Sequence, residues 1–141
     1  MSQQSSAPRE IVRGFNKILD FRIAEWRDGF VRLEVDLAEH HLNRSGVVHG
    51  GVLAALLDAA CGYTGVHPGP DGKVRRAVTL SMTTSFTGQA KSGTLTCTAH
   101  RRGGGNTIYM ANGEVKGPDG TLLAIGEAVY RYIAASDPAP Q

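Results

Sequence analysis

The sequence predicts an α+β domain in which a curved antiparallel sheet wraps one long helix. Three observations carry this. Residues 52–60 are apolar on nearly every side, so a helix there needs cover all round. About six strand-like runs accompany it along the chain. Most of these runs are joined by hairpin-length turns, which imply antiparallel pairing.

The elements follow in order. Residues 10–19 carry Ile11, Phe15, Ile18 and Leu19 at helical spacing, which predicts a short amphipathic helix. Residues 21–26 alternate and then meet Asp28-Gly29, a hairpin turn signal. Residues 30–37 answer with Val31, Leu33, Val35 and Leu37 on one face and Arg32, Glu34 and Asp36 on the other. The long helix spans residues 49–65. Residues 67–72, His-Pro-Gly-Pro-Asp-Gly, form a loop that cannot be regular structure. Residues 75–86 alternate Val78, Leu80 and Met82 against Thr79, Ser81 and Thr83. Strands at 94–102, 107–116 and 122–133 complete the sheet, and Pro118-Asp119-Gly120 marks the turn before the last one.

The 141 residues with 41% hydrophobic content fit one compact domain with a substantial core. The expected organisation is a disordered lead at 1–8, a single domain at 9–134 and a disordered tail at 135–141. A formal charge of +2 argues against nucleic-acid or membrane partners. No run is long and apolar enough to cross a bilayer, and the first residues lack the basic and apolar regions of a secretory signal. Cys61 and Cys97 are far apart without metal-ligand spacing, which predicts buried free thiols and fits a reducing cytoplasm.

Chemistry concentrates in residues 43–51, Asn-Arg-Ser-Gly-Val-Val-His-Gly-Gly, and in the helix they open. Asp58 is the one carboxylate in that apolar helix, and such a charge is costly unless it is paired or has a task. The backbone N–H groups at the helix start, where Gly50 and Gly51 stand, would form a site for a developing oxyanion, with the Gly50 amide as its donor. A carboxylate plus an oxyanion site points to acyl transfer or hydrolysis. Yet Gly50 and Asp58 are eight positions apart, roughly 12 Å along a helix axis, too far for both to reach one reacting carbon. Two antiparallel copies of the helix would bring Gly50 of one to Asp58 of the other. This predicts a two-fold dimer with two composite sites.

Plainer roles stay open for each residue. Asp58 could be a structural acid, His49 a helix cap, and Gly50-Gly51 a close-packing pair. Asn43 could be a turn former and Thr79 an ordinary strand residue. His40 and His41 with His49 allow a metal reading, but no cysteine or acid stands at suitable spacing, so no metal site is expected.

The pattern Asn43-x-x-Gly46-x-x-His49-Gly50-Gly51, with Asp58 seven residues on, resembles hotdog-fold acyl-CoA thioesterases of the PaaI-like, phenylacetate-pathway branch. The strand 78–82 and a later Gly-Glu-Ala strand extend the resemblance over residues 21–133. It implies a hotdog fold and hydrolysis of aryl- or medium-chain acyl-CoA to free acid and CoA, with no cofactor beyond the CoA of the substrate. It implies a homodimer that often pairs into a tetramer. The residue matching Gly50 offers its N–H to the thioester oxygen, beside Gly51. The residue matching Asp58 comes from the partner subunit as general base or nucleophile. The one matching Asn43 helps hold the carbonyl or the attacking water, and the one matching His49 lies near the sulfur. Thr79 stands where some members carry a serine that positions water.

A CoA substrate needs cations for its phosphates. Arg101 and Arg102, followed by Gly103, Gly104 and Gly105, are the first candidates, with Lys91, Arg75 and Arg76 behind them. Two other functions fit the same fold. A hydratase or dehydratase of acyl thioesters would need a paired catalytic His and acid, which the sequence does not display. Non-catalytic acyl-CoA sensors usually carry a DNA-binding segment, and the lead is short and not basic.

Overall fold

The computed structural model describes residues 12–73 and 75–134. The expected lead and tail, and Ile11 of the expected first helix, lie outside the described residues. The elements run α1 (Gly14–Leu19), β1 (Phe21–Arg27), β2 (Phe30–Asp36), a 3₁₀ turn (Glu39–His41), α2 (Gly50–Tyr63), β3 (Arg76–Phe86), β4 (Thr94–Gly104), β5 (Ile108–Lys116) and β6 (Leu122–Ile133). The six strands form one antiparallel sheet in the order β1-β2-β4-β5-β6-β3. This is the α+β class expected, with α2 as the single long helix.

Two glycines let α2 sit close on the sheet. Gly113 on β5 and Gly126 on β6 are register partners. A Cβ on Gly113 would stand 2.8 Å from the Thr98 carbonyl and 3.3 Å from Leu57 Cδ2; one on Gly126 would stand 3.2 Å from Leu57 Cδ1. Leu57 of α2 fills the hollow that the missing side chains leave, so the helix packs directly on the backbone of both strands. Around it, Leu53, Leu56, Ala60 and Cys61 pack against Val31, Leu33, Leu95, Cys97 and Val115 in the core.

The expected all-round cover of α2 is not complete. Gly51 is exposed and Ala54, Ala55, Asp58, Ala59 and Gly62 are only half-buried. The sheet covers one side, and a stripe of small residues faces away from it. The first helix is also shorter than expected. It starts at Gly14, buries only Leu19, and leaves Phe15 63% and Ile18 68% exposed.

Polar side chains fix the ends of α2. Trp26 Nε1 donates to the Tyr63 carbonyl at 2.9 Å, and Tyr109 Oη to the Gly62 carbonyl at 2.7 Å. These donors serve carbonyls that the helix end leaves without intrahelical partners. Before the helix, buried His41 donates from Nε2 to the Leu19 carbonyl (2.7 Å) and accepts the Ala38 N–H on Nδ1 (3.0 Å). Both its ring nitrogens serve the backbone, so His41 is a clamp between α1 and the loop and not a metal ligand.

Candidate active site

The loop 43–49 is organised by Asn43. Its Oδ1 accepts the N–H groups of Ser45 (2.9 Å) and Val47 (3.3 Å), and its own N–H donates to the Val47 carbonyl (2.8 Å). The side-chain oxygen is thus spent inside the loop, and only the Nδ2 amide can act on a substrate. The loop delivers His49 as N-cap of α2, where Nδ1 accepts the Gly51 N–H at 2.7 Å. That bond puts the proton of a neutral His49 ring on Nε2. The ring lies so close over the helix start that Gly51 has no room for a Cβ. Beside it, a Cβ on Gly50 would stand 3.3 Å from the Phe86 ring, so the end of β3 borders the helix start.

Asp58 lies two turns further along α2. Thr79 Oγ1 donates to its Oδ1 at 2.8 Å, and Tyr130 Oη lies 2.9 Å from the same oxygen. The sheet arranges this convergence. Thr79 on β3 and Tyr130 on β6 are register partners, so their side chains leave the same face toward α2. Directly after Thr79 the β3–β6 register shifts around Leu80, a bulge of the kind that re-aims a side chain beside a site. The carboxylate opens into a cavity of about 320 Å³ whose wall also includes Asn16, Arg75, Arg76 and Ala77.

The buried Tyr130 phenol is held above its ordinary pKa, first by burial and then by the Asp58 charge, so it stays a donor. Burial, with a smaller push from Asp58, lifts the Cys61 thiol to about 12. Cys61 and Cys97 are both buried free thiols, as expected.

The cation candidates do not form one cluster. Arg101 and Arg102 stand at a break in the β4–β5 register and line different cavities. Arg101 Nη1 pairs with Asp28 Oδ1 at 2.9 Å and reaches the Thr64 carbonyl at 3.4 Å. It lines a cavity of about 1150 Å³ with His67, Lys73, Arg75 and Tyr132. Arg102 lines a separate hollow with Ser81, Met110 and Glu127. Nor do the glycines after them make a free loop. Gly103 and Gly104 belong to β4, and a Cβ on Gly104 (φ +126°) would stand 2.5 Å from the Ile108 carbonyl. Arg75, stacked 3.4 Å over the Tyr132 ring, belongs to both the Asp58 cavity and the larger one.

Within one chain, then, the structure brings Asp58, Thr79 and Tyr130 together, and His49, Gly50 and Gly51 together, at separate places on α2. Tyr130 is the site residue that sequence reasoning missed. The alternation of the last strand puts it on the helix-facing side, but its reach to Asp58 depends on pairing across some fifty residues.

Comparison with known proteins bears on the whole. A family model described as "Thioesterase superfamily" matches residues 45–124. The conserved protein PA5202 of Pseudomonas aeruginosa superposes with a TM-score of 0.79 and 25% identity, covering 90% of this chain and 100% of that one. Zebra fish thioesterase superfamily member 2 gives 0.74 and 26%, covering 84% and 86%. The Escherichia coli PaaI protein from the phenylacetic acid degradation operon gives 0.74 and 25%, covering 84% and 83%.

Proposed function

This chain belongs to the thioesterase superfamily, and we propose that it hydrolyses aryl- or medium-chain acyl-CoA thioesters to the free acid and CoA. The coarse activity, a hotdog-fold thioester hydrolase, follows from the family and its structural relatives. The finer reading is ours. The observation that carries it is the Asp58 carboxylate, anchored by two hydroxyls in a cavity wall of the same helix whose start presents the Gly50 N–H.

The site works as a composite of two protomers. Gly50 and Asp58 lie roughly 12 Å apart along one helix, so one thioester meets Asp58 of one protomer and Gly50 of the partner subunit. The stripe of exposed Gly51 and half-buried Ala55, Asp58, Ala59 and Gly62 suits close approach of a second α2. The edge strand β3, with Leu80, Met82 and Phe86 exposed, suits continuation of the sheet. Pairing of dimers into a tetramer would use the other sheet face, where Ile108, Met110 and Ile125 are exposed.

Asp58 Oδ2, the oxygen engaged by neither hydroxyl, takes a proton from water as the water oxygen bonds to the thioester carbon. The carbonyl electron pair moves onto oxygen, where the Gly50 N–H and the positive helix end hold it. Collapse of that oxyanion breaks the C–S bond. The CoA sulfur leaves with the electron pair and recovers the proton, with His49 Nε2–H beside it and the Asn43 amide near the carbonyl. An anhydride route through Asp58 as nucleophile serves the same groups. CoA phosphates lie toward Arg75 and Arg101 in the adjoining cavity.

A panel of acyl-CoAs, phenylacetyl-CoA first, incubated with a thiol reagent tests the reading. Free thiol is expected. An ultraviolet change without thiol would support hydration chemistry instead, and tight binding without either a sensor. Asp58→Asn keeps an Oδ1 for both hydroxyls, so it should fold normally and lose about 10²- to 10⁴-fold in kcat. Turnover at the wild-type rate would end the proposal.

A further inference from the structure

Three tyrosines reach from the sheet to α2 and the turn after it. Tyr109 Oη donates to the Gly62 carbonyl and Tyr132 Oη to the Gly65 carbonyl, each at 2.7 Å. Tyr130 Oη lies 2.6 Å from the Asp58 carbonyl, and it is the one of the three that also meets a carboxylate, at 2.9 Å. The rings back one another: Tyr109 and Tyr130 stack at 5.1 Å and 13°, and Tyr109 and Tyr132 lie 4.8 Å apart. Stacking fixes where each hydroxyl points.

We propose that Tyr130 is a positioning residue of this enzyme, acting through Asp58. Its hydroxyl is shared between the backbone carbonyl and side-chain oxygen of one residue, so it fixes the carboxylate relative to its own helix. Thr79 grips the same Oδ1 from the paired strand. Two hydroxyls on one oxygen restrict rotation of the carboxyl group and direct Oδ2 to the water. A lone aspartate on a helix surface has no such constraint. The inference rests on the reading of Asp58 as the base.

Tyr109 supplies the comparison that separates positioning from folding. Tyr130→Phe and Tyr109→Phe each remove one hydroxyl from the same stack and one bond to an α2 carbonyl. Only the first removes a contact to the carboxylate. With phenylacetyl-CoA and octanoyl-CoA, Tyr130→Phe should lower kcat at least about ten-fold, toward the ~10²-fold that a misplaced reacting group costs. KM should stay within about two-fold. Tyr109→Phe should melt lower by a similar amount yet keep kcat within about two-fold. Thermal melts of Tyr130→Phe, Asp58→Ala and the double variant read the contact without substrate, and should depart from additivity by about 2 °C or more. Full kcat in Tyr130→Phe, an equal fall in Tyr109→Phe, or additive melts would overturn the inference while Asp58→Asn remained inactive. A fully active Asp58→Asn, or a wild type that releases no thiol, would instead overturn the reading of Asp58, and the inference with it.

Discussion

A Cβ on Gly51 would stand 2.8 Å from Nδ1 of His49, the same atom that accepts the Gly51 N–H at 2.7 Å. Cap and glycine therefore require each other. Gly51→Ala must push the imidazole off the helix start, and His49→Ala removes it outright. Loss of an N-cap costs about 0.5–2 kcal/mol. Each variant should melt lower by a few degrees, and the double variant should be no worse than the poorer single one, because both delete the same interaction. Additive losses in calorimetry would show that the ring and the glycine act separately. If His49 also serves the leaving sulfur, both single variants should lose kcat as well.

The β-hairpins and the long helix were legible because their signals are local. Val31, Leu33 and Val35 alternate into the core as their spacing requires, and Gly29, at φ +84°, turns the chain after Asp28. The Gly50 helix start is likewise written in its own loop. What was not legible depends on distant pairing. β3 lies at the far edge of the sheet beside β6, and no local pattern assigns it there. Tyr130 reaches Asp58 only through that pairing and the shift at Leu80. The division of Arg101 from Arg102 is another matter. Strand alternation already suggests opposite faces, though the register breaks at Arg102 and it is the two cavities that divide the pair.

That division predicts unequal kinetics. Arg101 is tied to Asp28 and the Thr64 carbonyl, and the Asp28 carboxyl is held below its ordinary pKa chiefly by this hydrogen bond. The pair therefore stabilises the hairpin above the usual carboxylate range and stops doing so as pH falls through the depressed value. Asp28 is well exposed, so the effect on stability stays under about 1 kcal/mol. Arg75, in the wall of both cavities, is the better placed cation for phosphate. Arg75→Glu should raise KM for acyl-CoA about ten-fold with a smaller fall in kcat. Arg102→Glu should leave KM within about two-fold. A reversed order would return phosphate binding to the outer face.

The two thiols set a further expectation. Burial lifts Cys61 to about 12, with Asp58 adding a smaller push, and burial lifts Cys97 as well. The native protein should therefore be silent toward a thiol reagent at pH 8 and should react at both cysteines once denatured. The sign for stability follows from the same shifts. Between the ordinary thiol pKa near 9 and the raised value near 12, the unfolded chain releases protons that the folded chain keeps. Stability is unaffected by these groups below that window and should decline through it. Denaturant melts at pH 8, 9.5 and 11 would test this. Rapid labelling of native protein would contradict the buried environment of both sulfurs.

The proposed composite site would make activity conditional on assembly. β3 ends the sheet with Leu80 52% and Phe86 57% exposed, and an open edge strand of eleven residues invites a second strand. Leu80→Lys places a charge at that edge, directly after Thr79 at the bulge, and leaves Asp58, Thr79 and the helix-start residues themselves unchanged. In light scattering it should shift the protein from dimer or tetramer toward monomer, with the melting temperature of the monomeric fold still measurable. On the proposal that one thioester meets Asp58 of one protomer and Gly50 of another, kcat should fall with the fraction of dimer and recover as protein concentration rises. A Leu80→Lys monomer with full turnover at every concentration would overturn the composite reading, since Gly50 and Asp58 of one helix lie roughly 12 Å apart along its axis.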